Sequence, residues 1–162
     1  MLTSTIFREY DIRGVADVEM LDPDIESLGQ AFGTYLQRRA GKKISLGRDT
    51  RLSSPRLRNA LIRGLKASGC DVTDIGVVPT PVLYYSVFRL KSDGGVMITG
   101  SHNPSEFNGF KVVCGGSTIH GESIQEIRRL VQTGDLPSMA EVDGVFGPKS
   151  RAALERLIAR DK

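Results

Sequence analysis

The 162 residues carry a formal net charge of +3, with 40% hydrophobic and 25% charged side chains, the make-up of one globular domain long enough to bury a core. That charge excess is too small to argue for nucleic acid, and 6% aromatics with no tryptophan leave few stacking platforms for single strands. No apolar run approaches a membrane span, the N-terminus lacks a signal-peptide layout, and two cysteines without ligand spacing fit a reducing compartment. A cytoplasmic protein with no nucleic-acid or membrane partner is therefore expected.

Residues 1 to 6 read as a loose lead-in. Phe7 to Val15 holds Arg8, Tyr10, Asp11 and Arg13 and alternates poorly, so by spacing alone it is an edge strand or surface loop. Asp22-Pro23 opens a first helix, with Asp as cap and Pro in the first turn. Ile25, Leu28, Phe32, Tyr35 and Leu36 share its buried face, and Gly41 is its expected stop. Ile44 to Leu46 is a short strand running into Gly47-Arg48-Asp49. Ser54-Pro55 starts a second helix with Leu57, Ala60, Leu61, Gly64 and Leu65 inward, closed at Gly69. Val72 to Ile75 is the next strand, and Thr80-Pro81 opens a third helix that buries Leu83, Val87 and Leu90. Strands and helices alternating at this pace predict βαβ units, a mostly parallel sheet and helices on both faces.

Gly95-Val-Met-Ile-Thr-Gly-Ser-His-Asn-Pro-Ser-Glu-Phe-Asn-Gly-Phe-Lys-Val-Val113 is the stretch with the most chemistry. Val96 to Thr99 reads as a buried strand, broken at Gly100. Asn103-Pro104 and Asn108-Gly109 are turn signals, the second a hairpin signal that needs positive φ. Phe110 to Cys114 is then a returning strand, antiparallel to the first. Ser101, His102 and Lys111 gather near the mouth of this hairpin, at the strand ends where open α/β sheets place ligands. Gly115-Gly116 gives another turn. Ile124, Ile127, Leu130 and Val131 mark a fourth helix ending at Gly134. Asp135 to Pro148 is turn-rich, and Ser150 would cap a last helix with Ala153, Leu154, Leu157 and Ile158 inward. The expected division is an α/β domain over 1–148 and, over 149–162, the start of a linker or helix.

A serine hydrolase would want Gly-x-Ser-x-Gly at a strand-to-helix elbow and a histidine placed to take the serine proton. Here Gly100 directly precedes the serine, the next element is a strand, and His102 is its immediate neighbour. That reading is disfavoured. By spacing alone, Arg48 and Asp49 form a structural ion pair or Asx turn beneath the serine stretch, and Lys111 is an exposed strand lysine.

Three motifs shift the balance. Thr99-Gly-Ser-His-Asn-Pro104 followed by Asn108-Gly-Phe-Lys111 resembles the active-serine signature of the α-D-phosphohexomutases. Phe7-Arg-Glu-Tyr-Asp-Ile-Arg-Gly14 and Gly47-Arg-Asp-Thr-Arg-Leu-Ser-Ser-Pro55 resemble the same family's other N-terminal motifs, nearest to its bacterial phosphomannomutase/phosphoglucomutase branch. The resemblance implies that family's first domain: a mixed, mostly parallel sheet with one antiparallel strand. It implies that Ser101 is phosphorylated and passes its phosphoryl group to a hexose phosphate through a hexose 1,6-bisphosphate. Lys111 is then a general acid/base or phosphate neutraliser, and His102 a positioner of the serine phosphate. Arg13 and Tyr10 become substrate contacts, and Arg48, Asp49, Asn103, Asn108 and Gly109 support the loop. Mg²⁺ would bind through the Ser101 phosphate. The family's Asp-Gly-Asp-Gly-Asp type metal loop does not occur here, so the site is expected to be completed by further domains of the same polypeptide. A phosphoglucosamine mutase domain and a non-catalytic module of the same fold stay open as alternatives.

Overall fold

The computed structural model describes residues 2–136; the turn-rich segment expected from Asp135 to Pro148 falls almost wholly outside them, and the last helix entirely so. A single 3₁₀ turn at Ser4–Ile6 leads into β1 (Ile12–Val15), and the chain continues through α1 (Ala16–Glu19), α2 (Asp22–Gln37), β2 (Lys43–Arg48), α3 (Ser54–Ala67) and β3 (Asp71–Val77). Then come α4 (Thr80–Arg89), β4 (Gly94–Ile98), β5 (Phe107–Cys114), β6 (Ser117–Thr118) and α5 (Glu122–Thr133). The sheet order is β1-β5-β4-β2-β3, with β6 beside β5. β4, β2 and β3 are parallel, and β5 runs against both of its long neighbours, β1 and β4. This is the mixed, mostly parallel sheet with one antiparallel strand that the alternation of elements and the returning strand imply.

Period-2 alternation divides the sheet into two faces. Leu46, Val96, Ile98, Phe110 and Val112 join Ile25, Leu28 and Phe32 of α2, Leu57 and Leu61 of α3, and Ile127 of α5 in one buried cluster. Phe110 meets Phe32 edge-on, with ring centroids 6.2 Å apart. On the other face, Leu83 and Val87 of α4 pack over Gly95, where an added Cβ would come within 2.6 Å of Val87. Leu90 departs from expectation. It lies one residue past the end of α4 and is 46% exposed, because the helix closes before its next inward position.

Two helix ends also differ. α2 begins at Asp22 with Leu21 in the cap position. The Asp22 carboxylate does not cap; it accepts a 2.6 Å hydrogen bond from Arg56 of α3. At the other end Ala40, not Gly41, takes the left-handed conformation (φ 60°), and the Gly41 amide donates to the Leu36 carbonyl. Glycine is needed at 41 for space, since a Cβ would come within 2.8 Å of Asp93 and Leu36.

The two principal helices of the first layer touch backbone to backbone. A Cβ on Gly29 of α2 would stand 2.5 Å from the Leu61 carbonyl oxygen, and one on Gly64 of α3 would fall on the Glu26 carbonyl. Neither obstacle is a side chain that can swing aside. Among the described residues no helix is long and apolar enough to cross a membrane. Gly64→Ala should therefore force α2 and α3 apart and destabilise the fold by about 3 kcal/mol, read as a lower urea midpoint at unchanged slope. An unaltered midpoint would mean the helices slide apart freely.

Candidate active site

The C-terminal ends of β2, β3 and β4 lie on one edge of the sheet, and the chain leaving β4 forms a loop, Thr99 to Glu106, before returning in β5. Asn108-Gly109 is not its turn. Both residues lie inside β5, and neither has positive φ. Burial explains the difference. The Asn108 side chain is fully buried and donates at 2.9 Å to the hydroxyls of Ser53 and Ser54, while its oxygen accepts from the Gly109 amide at 2.9 Å. Gly109 lies opposite Arg13 of β1, where a Cβ would meet the Ile12 carbonyl at 2.5 Å. The bends come earlier: Asn103 donates to the Gly100 carbonyl from its backbone (3.0 Å) and its side chain (2.8 Å), and the Phe107 amide donates to the Pro104 carbonyl at 3.1 Å.

Ser101 itself is the left-handed residue of this loop, with φ 52°, and it is exposed. A non-glycine residue there costs about 1–3 kcal/mol and persists only where the surroundings over-determine it. The surroundings are specific. The Asp49 amide donates to the Ile98 carbonyl at 2.9 Å, fastening the chain after β2 to the end of β4. The Asp49 carboxylate accepts from the Gly100 amide (3.1 Å), the Arg51 amide (3.1 Å) and the Ser54 hydroxyl (2.6 Å). Thr99 Oγ1 accepts from the Ser101 amide at 3.0 Å.

Arg51 was not marked by sequence spacing, yet it makes the most contacts here. Its Nη1 donates to the carbonyls of Pro104 (2.5 Å) and Phe107 (3.0 Å), and its Nη2 to those of Ser101 (3.2 Å) and Asn103 (2.6 Å). Its Nε lies 3.3 Å from Asp49 Oδ2. A Cβ on Gly100 would fall on this guanidinium, so Gly100 serves close approach rather than an unusual φ. Arg51 stands in the same motif as Arg48 and Asp49, but nothing in its position says that it reaches a loop fifty residues on.

The other expected site residues are spread more widely. Lys111 is opposite Met97 in the β4–β5 register and half-buried, and its amine has no hydrogen-bond or ion-pair partner among the described residues. It shares a sheet face with Arg13, two residues along β5 from the Gly109 that Arg13 faces. Arg13 is ion-paired with Asp11. His102 is exposed and without a partner among the described residues. Tyr10 lies before β1, on the side away from the loop, 71% exposed and 6.2 Å from the His120 ring. Arg48 is turned to the β3 edge, 3.5 Å from Asp74, which also holds Arg58 at 2.6 Å.

A family model for the alpha/beta/alpha domain I of phosphoglucomutase/phosphomannomutase matches residues 4–138. The chain belongs to the phosphoglucomutase/phosphomannomutase family. It is 46% identical over 137 residues to a phosphomannomutase/phosphoglucomutase of Pseudomonas aeruginosa, covering 85% of this chain and 30% of that one. It is 43% identical over 131 residues to a phosphoglucomutase of Neisseria gonorrhoeae, covering 81% and 28%. The crystal structure of a family protein from Burkholderia thailandensis superposes with a TM-score of 0.80 at 37% identity, covering 85% of this chain and 32% of that one. The chain thus spans about a third of the length of the relatives it matches.

The residues present do not by themselves hold Mg²⁺. Among the described residues no three His, Cys, Asp or Glu side chains cluster as a metal site. Asp49, beside the loop, already accepts from Ser54, Arg51 and Gly100, while Mg²⁺ demands an octahedron of oxygens.

Burial pushes the Asp49 carboxyl up, but the hydrogen bonds from Ser54, the Arg51 and Gly100 amides and Thr99 together outweigh it, and the group ionises below the ordinary carboxylate range. The unfolded chain binds that proton more readily. The contribution is therefore complete above the unfolded value, near pH 4, and is lost as pH falls through the lower folded value. Thermal midpoints measured from about pH 5 down to about pH 2 should fall more steeply for the native chain than for Asp49→Asn. Parallel profiles would show that another group carries the acid sensitivity.

Proposed function

We propose that this chain is the phosphoserine-bearing domain of a phosphohexomutase that interconverts the 6- and 1-phosphates of mannose or glucose. The observation that carries this reading is Ser101: an exposed hydroxyl on a strained residue, in a loop fixed by its neighbours' hydrogen bonds, at the strand ends of the sheet. Its flanking groups suit a phosphoryl carrier better than a hydrolytic nucleophile. A serine phosphate adds about −1.5 to −2 charges and three acceptor oxygens. Among the described residues Lys111 and His102 carry no competing partner, and the His102 amide is the one N–H between Gly100 and Asn103 without an acceptor.

In the proposed cycle a sugar hydroxyl oxygen attacks the phosphorus on Ser101, the bond from phosphorus to Ser101 Oγ breaks, and the hydroxyl proton passes to a base. Lys111, whose side-chain nitrogen has no partner among the described residues, is the candidate for that base. The product is a hexose 1,6-bisphosphate and a free serine. After the sugar reorients, Ser101 Oγ attacks the phosphorus of the other phosphate, the bond from that phosphorus to its sugar oxygen breaks, and the serine proton passes to the freed sugar oxygen, so that Ser101 regains a phosphoryl group. Catalysis here is mainly positioning and neutralisation of charge. Arg13 would hold substrate by exchanging its Asp11 partner for phosphate oxygens, and Tyr10 would have to swing towards the substrate to contact it. Mg²⁺ would supply Lewis-acid neutralisation on the serine phosphate, with its other ligands from outside the described residues. On this reading the 162-residue chain alone has no mutase activity.

A chimera tests the reading. Residues 4–138 would replace the matching segment of the Pseudomonas aeruginosa relative, and conversion of glucose 1-phosphate to glucose 6-phosphate would be followed. The chimera should turn over, intact mass should place one phosphate on Ser101, and Ser101→Ala should lose about 10³-fold or more in kcat. A folded chimera whose turnover survives Ser101→Ala would refute the reading.

A further inference from the structure

We infer that Arg51 is a positioning residue that holds Ser101 in its left-handed conformation, and that its guanidinium sets the rate at which this serine gives and takes a phosphoryl group. The inference deepens the reading of Ser101 as phosphoryl carrier and rests on it. Its structural half stands without it.

The loop is held by two kinds of contact. Amide contacts, from Gly100 to Asp49 and from Ser101 to Thr99, fix the entry to the bend. On the far side of Ser101, the carbonyls of Ser101, Asn103, Pro104 and Phe107 turn inward together onto one group, the Arg51 guanidinium. Four carbonyl oxygens converging on one point repel one another unless a cation with several donors sits among them. A guanidinium offers five N–H donors in a rigid plane; an ammonium has three on one atom and cannot span the same set. The Asp49 carboxylate, 3.3 Å from Nε, balances the charge. The clamp is thus nearly neutral overall, and its effect is geometric. Gly100 leaves the space it fills. Without it the carbonyls turn outward, and Ser101 is free to relax to negative φ, where its hydroxyl no longer stands where the transfer requires.

A group that acts only by position should change kcat and leave sugar-phosphate binding almost alone. A misplacement of about 1 Å is worth roughly a hundredfold in rate.

The test has two arms. In the 162-residue chain, amide hydrogen exchange is compared among wild type, Arg51→Met, Arg51→Lys and Arg51→Ala. Exchange at Gly100, Ser101 and Asn103 should rise about tenfold or more in all three variants, while amides of β2 and β4 keep their protection. Millimolar guanidinium should restore loop protection in Arg51→Ala, and methylammonium should not. In the chimera, Arg51→Lys should lower kcat about a hundredfold with KM for glucose 1-phosphate within about threefold. Unchanged loop exchange in folded Arg51→Met overturns the inference. So does a uniform rise across the whole sheet, which would make Arg51 merely a stabilising residue. Should Arg51→Met not fold, Arg51→Lys decides by the same measurements. An inactive chimera with Arg51 intact would sink the mutase reading and leave the exchange result standing.

Discussion

Asp49 and Arg51, two residues apart, bind one loop from both of its chemical sides. The carboxylate takes a loop amide and the guanidinium takes loop carbonyls. Their mutual ion pair is the lesser part of the arrangement, since part-exposed pairs contribute about 0–1 kcal/mol. Hydrogen bonds to charged partners contribute about 1.5–3 kcal/mol each, and here they number several. Together they offset the cost of a left-handed serine. The same two residues sit immediately after β2, whose register against β4 places the Asp49 amide on the Ile98 carbonyl. The parallel pairing of two strands thus fixes where the serine stands.

That dependence runs down into the packing. β2 and β4 are central strands, buried on one face by α2 and α3 and covered on the other by α4. α3 begins at Ser54, whose hydroxyl donates to Asp49 and accepts from Asn108. The start of one helix, the end of one strand and the beginning of another therefore share a single buried polar junction. Such a junction is worth having only when every member is satisfied, and each of its members has a partner.

Much of the fold was legible because it follows periodicity. The apolar stripes of α2, α3 and α5 fall on one buried face each, and the glycine stops at 69 and 134 do have positive φ. Local signals failed where a tertiary contact competes for the same residue. Asn108-Gly109 has the composition of a tight turn, but two serine hydroxyls on α3 and a neighbouring backbone hold it in a strand. Ser54 has the composition of a helix cap, but its hydroxyl goes to Asp49. At the site, Ser101, His102 and Asn103 came from one contiguous motif and fall in one loop. Arg51 did not declare itself, because its contacts to the loop are all to backbone carbonyls and leave no complementary side chain there to find. Tyr10 lies away from the loop because β1 starts at Ile12 and rises towards it, leaving the residues before β1 behind.

Charge at the loop constrains what this part of the chain contributes to the proposed chemistry. Arg51 is balanced by Asp49 and Arg13 by Asp11, so neither adds a net positive charge. Lys111 and His102 are left as the groups without a counter-charge among the described residues. They bring at most one positive charge each, against up to −2 on a serine phosphate and further charge on a sugar phosphate. The sum falls short once substrate enters. On the proposed reading, then, the domain presents a phosphoryl group under-compensated by its own side chains, and further positive charge would have to come from outside the described residues. Neutralisation completed only when substrate and the rest of the site close over the loop would favour transfer to sugar over loss to water.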